Sequence, residues 1–185
     1  MGLGSGRVEG VCVGRVSDRV VLSASRRLAV LLLFAAVGCS GGGGAESAGP
    51  VPAPQGKQAE HCRALHRALP GTVGGLKRRA VGPDSEFTAF WGSPAIALRC
   101  GVRRPLVVTE GHDGYRPWTP TWEFRGVEWM PEGQPGGDVR LTTSKREAWV
   151  EVTVPKKYTG GDGEFGALDV LSDAVRKTIP FGYIG

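Results

Sequence analysis

One apolar stretch decides how much of this 185-residue chain is free to build a domain. Residues 28–37 read Leu-Ala-Val-Leu-Leu-Leu-Phe-Ala-Ala-Val, ten apolar positions directly after Arg26-Arg27. Ten helical residues rise only about 15 Å against a hydrocarbon core of about 30 Å. The run is too short to span a bilayer and fits the core of an export signal, with the arginine pair held on the cytoplasmic side. The 25 residues before Arg26 are rich in Gly and Arg and carry no apolar periodicity. Residues 1–38 are therefore read as a leader that takes no part in the fold.

The run ends in Ala36-Val37-Gly38-Cys39, which resembles a lipobox. In bacterial lipoproteins of this pattern the cysteine thiol receives a diacylglycerol and the chain is cut before it, so Cys39 is the expected acylated N-terminus. Each buried methylene contributes about 0.8 kcal/mol, and two chains hold a protein on a membrane from which one would exchange. The expected location is the outer face of the cell membrane. Residues 39–56 are rich in Gly, Ser, Ala and Pro and read as a tether, with a root-mean-square reach of roughly 20–25 Å as a flexible coil. Residues 57–185 remain as a single domain with enough chain for a core.

Charge then excludes one class of partner. The chain carries 23 Lys+Arg against 18 Asp+Glu, a net +5, but the leader holds five arginines and two acids. Without it the balance is 18 basic to 16 acidic, or +2, and nucleic acid is not indicated. Seventeen of the basic residues are Arg and six Lys, which together with abundant Ala and Gly reads as a high-GC coding bias and points to an actinobacterial source.

Within the domain, Cys62, Leu65 and Leu69 recur at helical spacing over 59–69, and Pro70-Gly71 stops the run. Strands are expected at 87–91 and 95–102, joined through Gly92-Ser93-Pro94, then at 124–130, 139–143 and 148–154, the last two joined through Ser144-Lys145-Arg146-Glu147. Leu168, Leu171, Val175 and Ile179 mark a closing helix before Pro180. Helix, strands, helix predicts an α+β two-layer sandwich: an antiparallel sheet of about five strands with two helices on one face.

Cys62 and Cys100 are the domain's two cysteines, both on faces expected to be buried. In an exported chain they are expected to bond to each other. The alternative is a zinc site completed by His66 and His112, but His112 sits in the polar loop Glu110-Gly111-His112-Asp113-Gly114. No metal and no cofactor is expected. No catalytic set stands out. Trp91-Gly92-Ser93-Pro94 is not a nucleophile elbow, because Pro94 forbids the helix that must follow the serine. His61 and His66 read as surface residues, and the acid pairs Glu110/Asp113 and Asp162/Glu164 lack calcium-loop spacing. Lys77-Arg78-Arg79, Arg99 and Arg103-Arg104 read as solvated surface. Tyr115, Trp118, Trp122, Phe124 and Trp129 concentrate aromatic area in fifteen residues. Most of these are expected to be core or cover, with Trp118 and Trp122 exposed, so Tyr115, Trp118 and Trp122 form the candidate binding surface.

Six segments then carry a family resemblance: Cys62-Arg63-Ala64-Leu65, Leu69-Pro70, Phe90-Trp91-Gly92-Ser93-Pro94-Ala95, Leu98-Arg99-Cys100-Gly101-Val102, Gly126-Val127-Glu128-Trp129, and Val150-Glu151-Val152-Thr153-Val154-Pro155. Together they resemble the actinobacterial lipoproteins grouped as domain of unknown function 3515. The resemblance implies an exported, membrane-tethered envelope protein and no particular activity. The expected role is a non-catalytic binding or scaffolding module whose partner is an envelope protein or cell-wall component. The alternative is a wall-directed enzyme with its cleft at His112, Asp113 and Trp118. Metabolic labelling with a fatty acid is expected to mark the wild-type chain and miss Cys39→Ala; equal labelling of both would remove the anchor.

Overall fold

The computed structural model describes residues 49–159 and 166–183. The leader 1–38, Cys39, the tether up to residue 48 and the acid pair Asp162/Glu164 lie outside them. The described chain is α1 (Gly56–Ala68), a run of eight strands, and α2 (Gly166–Thr178). The strands are β1 (Thr72–Val73), β2 (Leu76–Arg79), β3 (Thr88–Trp91), β4 (Ile96–Cys100), β5 (Trp122–Phe124), β6 (Val127–Gly133), β7 (Val139–Thr143) and β8 (Val150–Val154). They form one open antiparallel sheet in the order β1-β2-β3-β4-β8-β7-β6-β5.

The fold is thus α+β with two helices, but the sheet has eight strands where about five were expected. The additional ones are β1, β2 and β5, and two of the three reasons are turns. Val73 pairs with Leu76 across Gly74-Gly75, and Phe124 with Val127 across Arg125-Gly126. All four turn residues have positive φ, the two-residue hairpin geometry that matches strand twist. The expected strand 124–130 is therefore a hairpin corner followed by a longer strand. The third reason is β2 itself, whose Leu-Lys-Arg-Arg sequence hides a strand that alternates between half-buried and exposed positions. Pro131 is tolerated within β6 because β5 stops pairing at Trp129, leaving β7 on one side only. At the β3–β4 turn, Gly92 has φ +77 and lies so close to β2 that a Cβ would stand 2.8 Å from Leu76 Cδ1.

Period-two alternation gives the sheet two chemically different faces. Across the register, Leu98, Val152 and Leu141 form one buried row and Cys100, Val150, Thr143 and Trp129 the next. Apolar residues of that core face form one cluster with Cys62, Leu65 and Leu69 of α1 and its exit and with Leu168, Leu171 and Val175 of α2. The indoles buried there keep partners: Trp129 Nε1 donates to Ser172 Oγ at 2.9 Å and Trp91 Nε1 to the Pro70 carbonyl at 3.0 Å. The other face carries Arg99, Glu151, Thr142 and Met130 in one row, and a small separate cluster of Phe90, Ala95 and Ala97.

Helix α1 has no side-chain cap and no acid in its first turn, so its own sequence holds it weakly. A disulfide between Cys62 and Cys100, with Cα atoms 5.5 Å apart, joins it to the end of β4. The chain ahead of α1 is also held. Pro52 and Pro54 are buried, Pro54 lies against Gly101, and Arg99 donates to the Pro50 carbonyl at 2.7 Å. Residues 50–55, read from sequence as the end of the tether, are packed on the sheet. The disulfide closes a sequence separation of 38, which on chain entropy is worth roughly 3 to 4 kcal/mol. Urea denaturation of the Cys62→Ala, Cys100→Ala variant is expected to show a loss of about that size, and reduction of the wild type should reproduce it.

Candidate functional site

The strand order forces a long crossing. After β4 the chain continues at β5, on the far edge beyond β8, β7 and β6, so residues 101–121 cover four strand spacings, roughly 19 Å. They cross the outer face, and the crossing holds its own shape. Arg116 N–H donates to the Val107 carbonyl at 2.6 Å, Thr109 Oγ1 to Pro105 O at 2.9 Å and Thr119 Oγ1 to Arg116 O at 2.8 Å. Pro105, Pro117 and Pro120 restrict the backbone between these bonds.

Between this connection and the sheet lie two cavities, of about 560 and 610 Å³. The first is walled by Trp118, Trp149 and Tyr183, with Met130 and the polar groups of Glu128, Ser144 and Lys145. The second is lined by Leu106, Pro131 and the ionic side chains of Arg103, Glu132, Arg140 and Glu151. Both touch Arg104, Thr119 and Met130, so they adjoin as one groove. Tyr183 reaches it because the C-terminal segment pairs with the β7–β8 connection: Glu147 N–H donates to Pro180 O at 3.1 Å and Gly182 N–H to Lys145 O at 3.0 Å. Arg146, buried beneath, donates to the carbonyls of Ile179 and Gly126 and ties that connection to the end of α2 and the β5–β6 turn.

Charge in the groove is organised in two sets. Arg99 donates to Glu151 at 2.9 Å, with side chains only 14% and 12% exposed, and Arg140 stands 3.5 Å from the other Glu151 oxygen and 3.7 Å from Glu132. The Nε atoms of Arg99 and Arg140 are buried without a hydrogen bond. At the floor of the first cavity Glu128 accepts from Lys145 Nζ at 2.7 Å and from Ser144 Oγ at 3.1 Å. The Lys145 hydrogen bond holds the Glu128 carboxyl below its ordinary value, and the same bond holds the Lys145 ammonium above its own. Both groups are fixed in their charged forms at neutral pH.

Tyr115, Trp118 and Trp122 are all exposed, and of the three only Trp118 lines the groove. Trp118 is 92% exposed at the mouth of the first cavity. Trp122 stands opposite Trp129 in the β5–β6 register, on the core face at the sheet edge, and Phe124 packs against the core from the same strand. Tyr115 is in the crossing, half exposed, and lines neither cavity. His112 accepts from Gly114 N–H through Nδ1 at 3.2 Å, and neither it nor Asp113 lines the groove. Cys62 and Cys100 are consumed by their bond, and among the described residues no group of three or more His, Cys, Asp or Glu is placed to hold a metal. His66 is pushed below its ordinary pKa by burial first and by Arg78 second. His61 does have a carboxylate, Glu147 at 3.1 Å, which the sequence did not mark. Arg99, expected among solvated charges, is instead buried in its ion pair, and Arg78 lies over the Trp91 ring at 6.0 Å. Arg104, read from sequence as solvated surface, lines both cavities, and the residues missed from sequence are Glu128, Lys145, Trp149 and Tyr183. Only Glu128 carried a local signal, since strand alternation places it on the face opposite to Trp129.

A family model described as "Protein of unknown function (DUF3515)" matches residues 21–183. No curated protein and no solved structure matches the chain.

Because its folded pKa lies below the usual 4.5, Glu128 contributes stability that is present above that pH and is lost as pH falls through the lower folded value. The unfolding midpoint of Glu128→Gln is expected to vary less steeply with pH below 4.5 than that of the wild type. Parallel curves would mean that the Lys145 bond carries no stability.

Proposed function

The chain belongs to the DUF3515 family, and from the groove beneath residues 101–121 we propose that it is a membrane-anchored envelope protein whose domain binds a partner without chemical turnover. The anchor is the acylated Cys39. We read both helices as lying together on the core face, which leaves the outer face to present the groove. The partner is a cell-wall component or another envelope protein.

The observation that carries this reading is Trp118. An indole left 92% exposed beside a formed cavity forgoes the burial that aromatic side chains normally gain, and such exposure marks interaction sites. An acid and a base lining the same cavity, Glu128 and Lys145, are tied to each other, which favours recognition over proton transfer. In a deletion strain, Trp118→Ala is expected to fail to complement while remaining folded and exported. Trp122→Ala and His112→Gln are expected to complement. Loss of function from His112→Gln alone would turn the reading toward a wall-directed enzyme.

A further inference from the structure

We infer that the groove takes a saccharide of more than one pyranose ring. The inference rests on the groove being a binding site and names what it binds. A pyranose has an apolar face of C–H bonds and a rim of hydroxyls that each donate and accept. The first cavity offers the counterpart of both. Trp118 presents an uncovered ring at the mouth, and Tyr183, 76% exposed, stands with Trp149 along the same cavity. The floor is polar and fixed in geometry by the bonds of Glu128 to Lys145 and Ser144.

These bonds leave capacity for a ligand. An ionised carboxylate has about four lone-pair sites, and Lys145 and Ser144 engage one at each oxygen. An ammonium has three donors, of which Glu128 uses one. A hydroxyl-rich ligand can thus donate to Glu128 and accept from Lys145 without displacing either. Other classes fit worse. A phosphate or an acidic lipid headgroup would find Lys145 paired with Glu128 and Arg146 bonded to two carbonyls, with Arg104 the remaining cation of the first cavity, and an acyl chain would have to desolvate the ion pair. A peptide that adds a strand needs a free sheet edge, whereas here side chains on a sheet face form the floor. The ring count follows from size: the cavities of about 560 and 610 Å³ adjoin at Thr119 and Met130, and each lies in the range of an individual ligand site.

The test uses the full chain in a detergent without a sugar headgroup, titrated with a β-1,4-linked N-acetylglucosamine trimer and, separately, a mannose trimer. Tryptophan fluorescence and indole N–H resonances give the readout. A saturable change with either trimer is expected, with a Kd on the order of 1 mM or tighter. Trp118→Ala should weaken it at least tenfold and Glu128→Gln measurably, while Trp122→Ala should not change it. Circular dichroism of Trp118→Ala should match the wild type, since its indole makes little of the core. Absence of a saturable change with both trimers, equal binding by Trp118→Ala, or a response to anionic vesicles in place of the trimers would each overturn the saccharide. If trimers fail while Trp118→Ala still fails to complement, the ligand class is wrong and the binding groove stands. If Trp118→Ala complements, both fall.

Discussion

The pairing of β8 with β4 is the constraint from which the rest of this structure follows. It inserts the last strand of the second meander beside the last strand of the first, and so separates β4 from its successor in sequence by the width of half the sheet. A connection of that span has to run over a face, and the core face is already occupied by the apolar side chains that join the two helices in one cluster. The crossing over the outer face is therefore a consequence of strand order. A groove between a crossing segment and a sheet is then hard to avoid, and the side chains beneath it decide its character. Here they are Arg99, Glu151, Arg140 and Glu132 in one region and Glu128, Ser144 and Lys145 in the other.

Buried ion pairs are weak sources of net stability, because desolvation offsets most of their attraction. Their value here is positional. Glu151 is held between two guanidinium groups from neighbouring strands, and Arg99 also fastens the chain that leads into α1. The same side chains thus tie β4, β8 and β7 together on the outer face and hold the N-terminal segment to β4. Arg146 performs the equivalent task at the opposite end, joining the β5–β6 turn, the β7–β8 connection and the end of α2 through two carbonyls.

What could be read along the sequence was whatever depends on near neighbours. Both helices followed from their apolar spacing, and β3, β4, β7 and β8 from period-two alternation or flanking turns. Two missing strands were signalled by Gly74-Gly75 and Arg125-Gly126, since paired turn residues between short apolar runs make hairpins. The disulfide followed from two buried half-cystines in a chain read as exported. Trp118, set between prolines, was recognisable as an exposed ring. Trp122 is exposed as expected, on the core side of the sheet edge beside its strand neighbour Phe124. The groove itself was invisible: no local pattern says that β8 lies next to β4, and Arg104, Lys145, Trp149 and Tyr183 come from three segments that only this order brings together.

The disulfide at Cys62 also determines how this domain bears force. A pull on the chain's N-terminal end first loads the Arg99 bond to Pro50 and the seating of Pro54 on Gly101. Should these yield, the first turns of α1 can unwind only as far as Cys62. From there tension passes through the sulfur atoms into β4, which is paired on both sides in the middle of the sheet. The remainder of α1, β1, β2 and β3 lie inside the covalent loop and stay out of the line of tension. Only the second half of α1 is thereby shielded, and the β8, β7 and β6 part of the groove floor lies beyond the strand that takes the load.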